Sequence, residues 1–166
     1  TPSLLKKNHF GKIFKTLQEN YLVDNVQEIT IECNPEDINS NFLHLIKQFP
    51  FSRISLGTQS FDDNILQFLN RRHNTKKNFE ALEILSQYYE NISCDIIYGI
   101  PGLKKKVLKN SLNAISGFNM KHISAYELTY ETGTPVFKKL QDANIKSLND
   151  DDLIRQYNFI YEYLIY

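Results

Sequence analysis

The chain has 166 residues, the length of one domain, and its 19 basic and 19 acidic side chains cancel, so no global field argues for nucleic acid or an anionic membrane as partner. With 11 Phe and 10 Tyr against only 6 Gly and 5 Pro, it is neither disordered nor low-complexity. No apolar run approaches the about 18 residues that a membrane span needs, and the start lacks a signal-peptide pattern, so a cytoplasmic protein is expected.

In chain order, Ser3 is a candidate N-cap for a helix over about residues 4–20, with Leu5, Phe10, Ile13, Phe14, Leu17 and Tyr21 near helical spacing. Residues 28–33 alternate as a strand and stop at Asn34-Pro35. Asn39 or Ser40 caps a short helix that ends by Pro50, and a strand follows over 53–59. Asp62 caps a helix that Asn70-Arg71-Arg72-His73-Asn74 interrupts, and a second helix runs over about 75–89. Residues 92–98 form the next strand, closed by Gly99-Ile100-Pro101-Gly102. A helix over 104–118, a strand over 122–130, a turn at Gly133-Thr134-Pro135 with a short helix through Leu140, and a last helix from Asp150 complete the pattern.

Strands that alternate with helices imply parallel pairing through right-handed crossovers. Four strands cannot close a barrel. The expected fold is therefore α/β, made of parallel βα repeats, either an open half-barrel or a small doubly wound sheet, with an unpaired edge where the chain begins. The chain opens on Thr1 without a methionine and ends inside an amphipathic pattern at Tyr166, which reads as a piece of a longer protein.

In βα architectures ligands bind beyond the carboxyl ends of the strands. Alternation puts Ile29, Ile31 and Cys33 against the helices and leaves Thr30 and Glu32 on the inner face. The same rule sends Ser55, Gly57 and Gln59 inward, then Ser93 and Asp95. The small residues Ser55 and Gly57 are expected to keep the mouth open below Gln59. Glu32, Gln59 and Asp95 thus converge as one polar cluster, and buried carboxylates cost several kcal/mol unless paired or satisfied by a ligand. Arg71 or Arg72 could pair with them structurally. His73 is the only histidine near the cluster, with His9, His44 and His122 scattered, and no His/Asp/Glu set has metal-ligand spacing. Cys33 and Cys94 form neither a disulfide framework nor a ligand pair and read as reduced, buried thiols. Such a cluster suits a polar ligand bearing ribose hydroxyls, an amine and a carboxylate better than it suits acid–base catalysis.

The stretches Ile29–Pro35, Ser55–Phe61, Asn70–His73, Cys94–Gly102 and His122–Pro135 together resemble radical S-adenosylmethionine proteins of the oxygen-independent coproporphyrinogen III oxidase group. The likeness runs in order along nearly the whole chain. The Gln59-Ser60-Phe61, Arg71-Arg72-His73 and Ser124-Ala125-Tyr126 forms are most similar to the group's heme-chaperone branch.

The resemblance implies part of a (βα)6 partial TIM barrel, with residues 1–148 as the central part of the core and 149–166 as the start of a further, truncated helix. It implies S-adenosylmethionine as cofactor, with Thr1, Glu32, Gln59, Arg71, Asp95 and Thr129 as contacts, and a [4Fe-4S] cluster whose ligands lie outside this stretch. Alone, the stretch is then expected neither to assemble the cluster nor to cleave S-adenosylmethionine. Heme is implied as cargo for an acceptor hemoprotein. The alternatives are the oxidase itself, which decarboxylates coproporphyrinogen III with a 5′-deoxyadenosyl radical, and a small α/β interaction domain whose polar strand ends pair with one another.

Overall fold

The computed structural model describes residues 2–23, 25–118, 120–142 and 145–165. A 3-10 turn at Pro2–Leu4 leads into α1 (Lys7–Asn20), then β1 (Thr30–Cys33), a second 3-10 turn (Pro35–Asp37), α2 (Ser40–Ile46) and β2 (Arg53–Gln59). Helices α3 (Asp63–Phe68) and α4 (Thr75–Ser86) precede β3 (Ile92–Tyr98), and α5 (Lys105–Ser116) precedes β4 (His122–Glu127). Helices α6 (Pro135–Asp142) and α7 (Asp150–Ile165) follow.

All four strands are parallel, in the order β1-β2-β3-β4. A doubly wound sheet needs a reversal of strand order so that crossovers fall on both faces. Here right-handed crossovers between successive neighbours put the helices that connect the strands on one face, so the sheet is a segment of barrel wall. Its helix side is apolar: Ile31, Cys33, Ile54, Leu56, Ile92, Cys94 and Ile96 form one buried cluster with Leu82, Leu85, Leu112, Ile115 and Ile160. Full burial of each such aliphatic side chain contributes about 1.5–3 kcal/mol. At the bottom, Phe10 and Phe14 of α1 meet Phe49 and Phe51, with ring centroids 5.3–5.5 Å apart.

Several element ends differ from the sequence expectation, each for a local reason. Ser3 caps no helix; it is buried, and its Oγ donates to Asp37 Oδ2 at 2.6 Å. The first helix starts only at Lys7, after the Leu5 N–H closes a turn on the Pro2 carbonyl. Strand β1 is shorter than 28–33 because Ile29 pairs with Ser52, its N–H donating to Ser52 Oγ and its carbonyl accepting from the Ser52 N–H. Helix α4 stops at Ser86 rather than near Tyr89, the Tyr88 and Tyr89 N–H groups both turning back onto the Leu85 carbonyl. Strand β4 ends at Glu127 instead of Tyr130: β3 turns away at Gly99, whose φ is +76°, and Leu128 makes the last ladder-like bond, to the Tyr98 carbonyl. The expected caps at Asn39 and Asp62 form, Asn39 accepting from the Phe42 N–H and Asp62 from those of Asn64 and Ile65.

Candidate functional site at the carboxyl ends of the strands

Strand β1 delivers Glu32 to the inner face, where it is exposed and makes no hydrogen bond or ion pair within the described chain. Pro35 then opens the 3-10 turn with its φ preset. That turn presents two carboxylates. Asp37 accepts from Ser3 Oγ and Asn34 Nδ2, and Glu36 takes Arg72 Nε on Oε1 (3.1 Å) and His73 Nδ1 on Oε2 (2.9 Å).

Strand β2 ends irregularly. Leu56 pairs with Cys94, but Gln59 pairs with Ile96, so β2 spends one extra residue in a bulge. Gln59 has φ +63°, and the Ser60 N–H reaches back to the Thr58 carbonyl at 2.7 Å, closing a γ-turn. A non-glycine residue held there is strained by about 1–3 kcal/mol and persists only when its surroundings over-determine it. They do: Asn78 Nδ2 donates to the carbonyls of Thr58 (3.1 Å) and Ser60 (2.8 Å), His73 Nε2 lies 3.3 Å from the Thr58 carbonyl oxygen, and Thr58 Oγ1 donates to the Asp95 carbonyl (2.8 Å). The turn folds the Gln59 amide back over Gly57, where a Cβ would stand 2.8 Å from Nε2. Gly57 therefore does not hold the mouth open as expected; its missing side chain is the seat of the Gln59 amide, which finds no hydrogen-bond partner in the described chain.

Arg71 is placed by the end of α3. Asn70 has φ +56°, the Asn70 N–H bonds to the Gln67 carbonyl and the Arg71 N–H to the Leu66 carbonyl, which is the Schellman arrangement. Its side chain is half-buried, and Nε is buried with no partner among the described residues. Burial pulls the guanidinium below its ordinary pKa, while the charges of Glu36 and Asp95 oppose that shift. Arg72, by contrast, is exposed and tied to Glu36, so neither arginine closes an ion pair with Glu32 or Asp95.

Asp95 stands on the inner face of β3 and accepts from Ser55 Oγ at 3.2 Å. Burial pushes its carboxyl above the usual range; hydrogen bonds from Ser124 and Ser55 oppose that, and the Glu32 charge adds to it. Asp95 thus lies within electrostatic reach of both Glu32 and Arg71. Thr129 is exposed, two residues past the end of β4, and makes no hydrogen bond to this cluster. Thr1 lies outside the described residues.

Four participants escaped the sequence reading. Glu36 and Asn78 carry no pattern of their own, because a turn carboxylate and a helix amide are ordinary. Ser124 and His122 were legible: alternation along β4 puts both on the inner face. His122 Nδ1 lies 2.9 Å from Ser93 Oγ and 3.5 Å from Arg53 Nη2, so it belongs to the inner wall instead of being scattered. Arg53 in turn donates to Glu28, which also accepts from Thr30 and Asn91. Both cysteines are buried on the helix side, and burial raises each thiol to about 12. Among the described residues no cluster of His, Cys, Asp and Glu could hold a metal ion.

The donor set comprises an unpartnered carboxylate, an unpartnered carboxamide, a guanidinium with an orphaned Nε, and a second carboxylate already holding hydroxyls. Leaving a buried group such as Arg71 Nε unmet costs about 1–3 kcal/mol, and an amino acid joined to a nucleoside carries groups complementary to the whole set. The chemistry of the site therefore fits S-adenosylmethionine.

Comparison with known proteins agrees. Over 139 residues the chain is 32% identical to the heme chaperone HemW of Buchnera aphidicola from Schizaphis graminum, covering 84% of this chain and 37% of that protein. It is 25% identical over 165 residues to HemW of Lactococcus lactis, covering 99% of this chain and 44% of that protein. The chain thus spans about two fifths of the length of these relatives. In fold it matches coproporphyrinogen III oxidase (HemN) from Escherichia coli, described as a radical SAM enzyme, with a TM-score of 0.74 and 22% identity over 99% of this chain and 37% of that one. The Radical SAM superfamily pattern matches residues 2–115, which hold the strand ends bearing Glu32, Gln59 and Asp95 and the segment bearing Arg71. That family implies S-adenosylmethionine and a [4Fe-4S] cluster, and it sets aside an unrelated interaction module: the chain belongs to the radical SAM superfamily.

Proposed function

We propose that this chain is the S-adenosylmethionine-binding centre of a heme chaperone, residues 1–148 forming the central part of its barrel and 149–166 the helix that follows. The observation that supports the reading is that Glu32, Gln59 and Arg71 each keep a polar group that no described residue satisfies, with Glu32 and Arg71 both within electrostatic reach of Asp95. Arg71 supplies the positive charge for the ligand's carboxylate, Glu32 the negative charge for its ammonium, and Asp95 with Gln59 acceptors and a donor for ribose hydroxyls. Thr129, and Thr1 outside the described residues, complete the contact set in this reading. When bound with the cluster, S-adenosylmethionine supplies one-electron hydrogen-abstraction chemistry; this chain's part is to bind and orient it. The full-length protein would bind heme, hand it to an acceptor hemoprotein and work in the cytoplasm. No helix among the described residues is long and apolar enough to cross a membrane.

The second reading is coproporphyrinogen III oxidase itself, favoured by the TM-score of 0.74 to that enzyme. The relatives named heme chaperone favour the first. The two separate cleanly in the full-length, anaerobically reconstituted protein. Heme binding without decarboxylation of coproporphyrinogen III is expected; turnover of that substrate would establish the oxidase instead. For the site itself, Gln59→Ala and Asp95→Asn should each weaken S-adenosylmethionine binding by calorimetry about 10-fold or more. Unchanged affinity in both would end the assignment.

A further inference from the structure

Residue His73 has no part in the contact set above, yet its side chain is buried at the mouth, 5% exposed. Its two ring nitrogens meet two different elements. Nδ1 lies 2.9 Å from Glu36 Oε2, on the turn after β1, and Nε2 lies 3.3 Å from the Thr58 carbonyl, at the end of β2. Both partners are acceptors. A carbonyl has no proton to give, and the other oxygen of Glu36 already accepts from Arg72 Nε at 3.1 Å. A neutral imidazole has one N–H and can satisfy only one of the two.

We propose that His73 is a positioning residue of the ligand site, an imidazolium that donates from both nitrogens and ties the Gln59 turn and the Arg71 segment to the end of β1. The Thr58 carbonyl it faces is the one that closes the γ-turn, so its grip bears on the strained residue that aims the Gln59 amide. Its bond to Glu36 docks residues 71–73 on the Pro35–Asp37 turn, leaving Arg71 with Nε desolvated and its charge between Glu36 and Asp95. Charged and titratable groups on the surrounding elements are few. Glu36 and Asp37 lie on the turn, Asp37 being committed to Ser3 and Asn34. Glu32 and Cys33 lie on β1, Asp95 on β3, Arg71 and Arg72 on its own segment, and Lys77 on α4, whose Nζ donates to the Ile38 carbonyl. None but Glu36 hydrogen-bonds the ring. Asn78, also on the Thr58 carbonyl, is uncharged and cannot replace the tie to Glu36.

The inference rests on the S-adenosylmethionine reading for its consequence but not for its charge state, so the test has two arms on the full-length protein. Histidine-selective 15N NMR should show two protonated ring nitrogens for His73, assigned by its loss in His73→Gln, and Glu36→Gln should reduce them to one. Calorimetry should show S-adenosylmethionine binding weakened about 10-fold or more in both variants. Circular dichroism should leave both folded; if His73→Gln does not fold, Glu36→Gln decides. A single protonated nitrogen in the parent protein, or unaltered affinity in the folded variants, overturns the proposal. A parent protein that binds no S-adenosylmethionine but shows the doubly protonated ring refutes the site reading and upholds the imidazolium tie.

Discussion

Gly57→Ala separates stability from ligand binding more sharply than any other single change in this sheet. A Cβ built there stands 2.8 Å from Gln59 Nε2, closer than real atoms come, but 3.6 Å from the Cys33 carbonyl and 3.9 Å from Asn34 Oδ1, which are ordinary contacts. The backbone needs no left-handed conformation at this position, so alanine fits the strand. Replacing a strand glycine gains about 0.5–1 kcal/mol through the unfolded chain. Swinging one carboxamide out of its rotamer costs about 0.5–1.5 kcal/mol. The two nearly cancel, and Tm should move by no more than about 3 °C in either direction. The displaced amide, however, no longer faces the ligand, and losing one neutral hydrogen bond weakens binding about 5- to 10-fold. Circular dichroism melts and calorimetric titration with S-adenosylmethionine on the same full-length sample read both quantities. A Tm loss beyond about 5 °C would mean that backbone, not the amide, gives way, and undiminished affinity would mean that Gln59 does not need its seat over Gly57.

Two further outcomes follow from the same geometry. Asp95→Asn removes a carboxyl that burial holds above its ordinary value of 3.8. The native state then binds its proton more readily than the unfolded chain, so the ionised form weakens the fold at neutral pH and the deficit fades as pH falls through the raised native pKa. The variant should melt higher than the parent at pH 7, the gap narrowing towards pH 4; a constant or inverted gap in pH-stepped melts would contradict this. Asn78→Ala strips the Ser60 carbonyl of its 2.8 Å donor and the Thr58 carbonyl of one of its three. Inside the protein that costs about 2–3 kcal/mol, which should lower Tm by about 5–10 °C, and a fall under 2 °C would show that water replaces the amide.

Period-two alternation was enough to separate the helix side from the inner side of β1, β2 and β3, because every inward residue from Thr30 to Asp95 breaks an apolar run. It served for Glu32 and Asp95, whose strands are regular where they matter. It misjudged the space above Gly57, because a bulge and a positive φ at Gln59 depend on partners 15 to 37 residues beyond Thr58, namely His73, Asn78 and Asp95. Nothing local in Gln59-Ser60 announces a γ-turn. Likewise Arg71 and Arg72 look interchangeable in sequence. The αL conformation of Asn70 sends one to Glu36 in the open and leaves the other half-buried and unsatisfied. His122 is the opposite case: its alternation was available, and reading histidines only as metal ligands hid it.

The sheet has two surfaces with different needs for water. Its helix side must stay dry to be stable, whereas its inner side, from Thr30 and Arg53 through Ser55, Asp95, His122 and Ser124, is made of groups that water satisfies as well as a ligand does. A barrel wall built this way needs no side-chain plug to hold its shape. Filling or emptying the interior exchanges one set of hydrogen bonds for another and leaves the apolar core untouched, so a bulky polar ligand can come and go without the wall having to repack.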